Sequence, residues 1–247
     1  MASLPAVLSP LTLPALLGYI LTSQPSISAT TLVICSSREG FLQKLSHPIA
    51  HQNGGVTGNL EQLAIPTLYN LSTARNIRIA FCASVQSLLA YLTAYGRARV
   101  SHGNVGGEGE ERFVLVNPLS LHAPTSSFSA QGLSRTFAAA VEMALRTGAK
   151  LQMVECVDER RDIARDEDGE DVDALMRSED GDGEDQAEED PWEQDVAILN
   201  VSARRFGSGG SDRAWAGRTI KVKRIASRWF RFQGVDSFHE AEGHGAE

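Results

Sequence analysis

The chain's 247 residues, 42% of them hydrophobic, suffice for one ordinary domain with a real core and an appendage or two; two full domains would be a squeeze. No run of about 18 apolar residues is uninterrupted, so no membrane span is expected. The formal net charge of −8 averages two opposed regions: Asp158 to Asp190 holds 17 acids and four arginines, while the rest of the chain is net positive.

A short strand at Leu4 to Leu8 leads into Ser9-Pro10, the order of a helix N-cap followed by proline at the first helical position. Leu11, Leu13, Leu16, Leu17 and Ile20 then make a mostly apolar helix over 10 to 22, with leucines on more than one side. No Lys or Arg precedes Arg38, and prolines stand at 5, 10 and 14, so this apolar start does not read as a secretory or mitochondrial address. Thr30 to Cys35 is β-branched and continuous, as expected of a strand buried on both faces. A short helix around Glu39 to Leu45 follows, then a loop, HQNGGVTGN, at 51 to 59. Leu60 to Leu71 connects it to the strand Ile77 to Phe81. Ser84 caps a helix from Val85 to Tyr95 in which Leu88, Leu89 and Leu92 share a face. Gly96 to Glu111 is a Gly-rich, charged linker.

Phe113-Val114-Leu115-Val116 is a buried strand closed by Asn117. After the loop Ala123 to Ser129 comes a helix, Leu133 to Thr147, with Phe137, Val141 and Leu145 at spacing four and Gly148 in the usual C-cap place. Leu151 to Val157 is another buried strand. Residues 158 to 190 hold too little apolar area to offset chain entropy and are expected to be a disordered acidic insertion. Asp195 to Ser202 resumes a strand, Gly207 to Gly217 is a Gly/Ser loop, and Thr219 to Ile225 with Arg228 to Gln233 reads as a closing C-terminal β-hairpin. The polar tail from Gly234 is expected to fray. Strand and helix in alternation predict an α/β fold, a mostly parallel sheet flanked by helices. Its core spans 1-157 and 191-233, with the insertion at 158-190 and the tail at 234-247.

Several chemistries are missing. A phosphate-cradling loop needs glycines that expose backbone N–H groups and a lysine to meet the charge, and no Gly-Lys pair exists in this chain. Between the first strand and first helix stands Ser9-Pro10-Leu11-Thr12-Leu13-Pro14, in which proline removes donors and leucine offers none. Asn117 occupies the place where a nucleotide-hydrolysing α/β domain carries an acid for Mg²⁺, and a neutral amide is a poor ligand beside a carboxylate. The six histidines have no paired spacing and read as surface residues. Ser120 near His122 is too thin for a triad. Cys35, Cys82 and Cys156 lack CxxC spacing and sit in apolar runs, so they read as reduced core thiols. No metal or cofactor is expected.

Taken in order, the pieces resemble the core of the RecA-like recombinase family, especially its degenerate paralogues. TTLVICSSREGF is similar to the second strand and its acidic turn, and IRIAFCASVQSLLAYL to the strand and helix before the metal-binding strand. FVLVNPLSLH resembles that strand, LSRTFAAAVEMAL the long helix after it, LQMVEC the sensor strand, and GRTIKVKRIASRWFRF the late hairpin. The resemblance implies a pseudo-ATPase, with Asn117 at a degenerate metal position. It implies a non-catalytic subunit of a nuclear DNA-repair complex of the Shu type, binding DNA and a paralogous RecA-like partner as a hetero-oligomer in homologous recombination. The alternative is a RecA-like subunit of an Elongator-type tRNA-modification complex.

One cationic segment bears on nucleic acid. Between Ala203 and Arg231 stand Arg204, Arg205, Arg213, Arg218, Lys221, Lys223, Arg224, Arg228 and Arg231 against the single acid Asp212. On a strand, Lys221 and Lys223 share a face opposite Ile220 and Val222, and basic residues beside a Gly/Ser loop make a salt-sensitive phosphate contact. A solvated face and a dock for the chain's own acidic run are the competing readings. Trp215, Trp229 and Phe230 read either as stacking platforms or as hairpin core.

Overall fold

A computed structural model describes residues 4–23, 29–50, 67–101, 111–157, 190–199 and 218–234. In chain order the elements are β1 (Ala6–Leu8), β2 (Leu11–Thr12), α1 (Leu13–Ser23), β3 (Thr30–Ile34), α2 (Arg38–Ala50) and α3 (Leu68–Ala74). They continue with β4 (Ile77–Phe81), α4 (Val85–Ser101), β5 (Arg112–Val116), α5 (Pro118–His122), α6 (Ala130–Thr147) and β6 (Lys150–Val154). The last are β7 (Cys156–Val157), β8 (Asp195–Ala197), β9 (Thr219–Lys221), α7 (Val222–Ala226) and β10 (Arg231–Gln233). Six strands form one parallel sheet in the order β10-β1-β6-β5-β3-β4.

The central strands β3, β5 and β6 are buried on both faces, and Phe113 to Val116 of β5 accordingly runs apolar without alternating. Successive residues still part company across the sheet. Val33, Phe113, Leu115 and Met153 join one core with α4, α6 and α7, while Leu32, Ile34, Val114 and Val154 join another with α1 and α2. Helices therefore cover both faces, and the chain is an α/β protein. Each fully buried side chain such as Phe137 or Leu88 contributes roughly 1.5–3 kcal/mol.

Element ends differ from expectation where a local signal met a tertiary partner. The first helix starts at Leu13, not Pro10, because Leu11–Thr12 pairs with β7 and the Thr12 hydroxyl accepts the Ala15 N–H at 3.3 Å. Ser129, by contrast, caps α6 through the Gly132 N–H, and Gly148 closes it with φ 70°. Helix α4 runs on to Ser101, into the expected linker. The short helix α5 was not legible at all.

The C-terminal hairpin is not what forms. β9 pairs antiparallel with β8, α7 follows at once, and β10 joins the main sheet beside β1. Val222, Ile225 and Ala226 are all buried, and their i, i+3, i+4 spacing is helical, so packing against α6 overrode the strand alternation read from Ile220 and Val222. The acidic insertion and the tail lie outside the described residues, except Asp190 and Gly234. No helix among the described residues is long and apolar enough to cross a membrane.

Candidate functional site

The C-terminal ends of the parallel strands hold the chemistry. β3 and β5 are neighbours, yet β3 exits toward α2 on one face and β5 toward α5 and α6 on the other. A crevice opens where adjacent connections diverge in this way, and it is where open α/β sheets bind ligands. Asn117 sits at its floor.

Asn117 has φ 59° and ψ 42°, the left-handed region that asparagine tolerates better than most residues. Its N–H donates to the Val154 carbonyl at 2.9 Å, and its Oδ1 accepts the Cys156 N–H at 2.6 Å. The amide thus stitches the end of β5 to the end of β6. That is its work here: a turn conformation and a cross-strand hydrogen bond.

A carboxylate does stand at this level of the sheet, contributed by the neighbouring strand. Glu155 is 1% exposed and accepts the Leu119 N–H at 2.5 Å, the Ser120 hydroxyl at 3.0 Å and the Ser120 N–H at 3.4 Å. Pro118 at the start of α5 has no N–H, and Asn117 makes no side-chain cap, so Glu155 satisfies the helix's orphan donors from another strand. Burial pushes its pKa up from 4.5 to about 7, against the opposing hydrogen bonds from Leu119 and Ser120 and the charge of Lys44. Burial likewise raises the Cys35 thiol well above its ordinary value, with Glu155 and Cys82 adding to it, so Cys35 is an inert core thiol.

His122 corrects the surface reading. It is fully buried, with Nε2 2.9 Å from Thr136 Oγ1 and Nδ1 3.2 Å from the Ser127 carbonyl, and burial lowers its pKa. The ring braces the turn into α6 and has no hydrogen bond to Ser120.

Where a phosphate loop would lie, the backbone is already engaged. Leu11–Thr12 is zipped to Cys156–Val157, Ser9 N–H donates to the Gln233 carbonyl at 3.1 Å, Ala15 N–H is taken by Thr12, and Pro14 has no N–H. A phosphate needs several converging N–H groups at a helix start. This helix start does not present them. In front of it lies a cleft of about 380 Å³, lined from the exits of β3, β4, β5 and β6.

The cationic residues fall in two groups. Arg204, Arg205, Arg213 and Trp215 lie outside the described residues. Arg218, Lys221, Lys223, Arg224 and Arg228 surround β9 and α7, and all are exposed. Lys221 and Lys223 do not share a strand face: one ends β9, the other lies on α7, and each places Nζ 2.8 Å from the Glu193 carboxylate. The two lysines hold Glu193 down at about pKa 2. Phe230 is core, edge-on to Phe137 at 5.6 Å, whereas Trp229 is 36% exposed. Trp192, unremarked in the sequence, is buried edge-on to Phe232 at 5.5 Å and anchors the segment that carries Glu193.

No protein-family model matches this chain, and no curated protein matches it.

Proposed function

We propose that the chain is a non-hydrolysing subunit on a RecA-like core, which binds DNA and a RecA-like partner in a nuclear DNA-repair complex and assists homologous recombination. One observation carries the reading. The position of the phosphate loop is closed by the β2–β7 pairing, and the position of the metal ligand is held by an asparagine spent on the Cys156 N–H. A core that keeps a parallel sheet and gives up both nucleotide contacts is suited to assembly.

Two surfaces support the partners. Arg224 and Arg228 stand exposed beside Arg218 and are joined in sequence to Arg204, Arg205 and Arg213, a cationic run fit for a phosphate backbone. At the opposite edge of the sheet, Ile79 (52% exposed) and Phe81 on β4, with Leu42 on α2 and Leu71 on α3, expose apolar surface of the kind a protein partner covers. The leucines of α1 are less available than the sequence suggested, since Leu13, Leu16 and Ile20 are buried.

Affinity purification of the tagged chain from its own cells, read by mass spectrometry, tests the assembly. Recovery of recombinase paralogues supports the proposal; recovery of Elongator subunits replaces it with the tRNA reading. Phosphate release by the purified chain, abolished by Asn117→Ala, overturns it.

A further inference from the structure

The cleft between the β3 and β5 exits, about 380 Å³ in volume, joins a hydrocarbon wall to a donor at its floor. Leu13, Pro14, Ile34, Phe41, Val85 and Leu121 supply the wall. Asn117 supplies the donor. The cross-strand hydrogen bond from the Cys156 N–H uses only its oxygen, and so fixes which way round the amide stands. The Nδ2 hydrogens have no hydrogen-bond partner among the described residues, and the nitrogen is not sealed from solvent. Two further donors line the cleft: the Thr12 hydroxyl, which accepts the Ala15 N–H and still has its own hydrogen to give, and the amide of exposed Gln86.

These donors are neutral. No Asp or Glu is among the lining residues, and Lys44, the one charged residue there, has an interaction of its own. A cationic amine therefore finds no counter-charge. A carboxylate or a phosphate would leave water for uncharged donors, at a cost greater than one hydrogen bond returns. A sugar would press hydroxyl groups against a wall that is mostly hydrocarbon. What matches the cleft is an apolar body with one neutral acceptor at its end. The volume is within the usual range of small-molecule sites, and diverging strand exits are where such sites form.

We infer that this cleft binds a small neutral carbonyl compound, a ketone or an amide, with its hydrocarbon against the aliphatic wall and its oxygen accepting from Asn117 Nδ2. Apolar burial supplies most of the affinity, and the amide sets the orientation. An aspartate at 117 could still accept the Cys156 N–H but would have no N–H to offer the ligand. Binding here is independent of DNA, because the cleft and the Arg224–Arg228 surface share no residue.

Titration of the isotope-labelled full chain with acetophenone, followed by proton–nitrogen correlation NMR, tests it. Isopropenylbenzene, which keeps the shape and puts CH₂ in place of the oxygen, and benzoate, which adds a charge, are the companions. Acetophenone should saturate one site per chain and move the Asn117 side-chain amide signals, whereas isopropenylbenzene should enter the same cleft and leave them nearly in place. Benzoate should bind more weakly than acetophenone. Asn117→Asp keeps an oxygen for the Cys156 N–H and a residue that tolerates the left-handed backbone. It should weaken acetophenone about fivefold relative to isopropenylbenzene. Ala83→Trp, on the exposed rim, should crowd the cleft and abolish saturable binding of both. The signals of the parent chain decide the matter even where a variant does not fold. Absence of saturable acetophenone binding, Asn117 signals that acetophenone does not move, benzoate binding as tightly as acetophenone, or a ratio of affinities unchanged by Asn117→Asp would each overturn the inference.

Discussion

Glu155 makes stability depend on pH in a direction opposite to that of a salt-bridged acid. Its folded-state pKa is about 7 against 4.5 for the ordinary group, so between those values the folded chain keeps a proton that the unfolded chain has lost. Stability is therefore greatest below the lower value and falls as pH rises through the window. Between about pH 5 and about pH 8 the loss is about 2 to 3 kcal/mol, a large share of what a domain of this size holds in reserve. Glu155→Gln stays neutral throughout and keeps an oxygen for the Leu119 N–H. Urea unfolding of both chains at the two pH values isolates the effect, since His122 titrates equally in both and Glu193 titrates below the window. The variant should gain about 2 to 3 kcal/mol over the parent at the higher pH, and little at the lower. The same pH slope in both chains would refute the reasoning.

Asn117→Ala should lose about 2 kcal/mol, half from a left-handed backbone that alanine resists and half from the abandoned Cys156 N–H. Asn117→Gly should lose only about 1 kcal/mol, and equal losses would contradict this split. Gly132→Ala would place Cβ 2.1 Å from the Ser127 carbonyl oxygen, so it should cost about 3 kcal/mol in the same assay. Gly148→Ala, with open space but φ 70°, should cost about 1 kcal/mol, which separates steric overlap from backbone strain. Glu193→Ala releases Lys223 and removes one partner of Lys221, so single-stranded DNA should bind more tightly at low salt, with a log–log salt slope steeper by about 1. An unchanged slope would remove both lysines from the contact surface.

Much of the scaffold was legible because its signals are local. The strand Ile77–Phe81 was placed to the residue and Gly148 closed α6 as expected, since a left-handed terminus is decided within one turn of chain, whereas the helix begins at Ala130 under a Ser129 cap and not at the expected Leu133. The β-branched run of β3 announced a strand covered on both faces, and Phe113 to Val116 of β5 a buried one. The basic run was legible by composition alone, but its pairing was not. Glu193 carries no local signal that sets it apart, and the fold alone places it between Lys221 and Lys223.

By itself the sequence determined the α/β alternation, the buried strands, the separation of acidic from basic segments, and the missing phosphate loop. Tertiary structure alone decided the rest of the site. Asn117 and Cys156 are 39 residues apart, and their hydrogen bond exists because β5 and β6 are neighbours in the sheet. Glu155 caps α5 for the same reason, and α7 is a helix because α6 offers it a face to bury. Periodicity and capping are written over a few residues of chain, whereas strand order and burial are settled by which distant segments exclude water together.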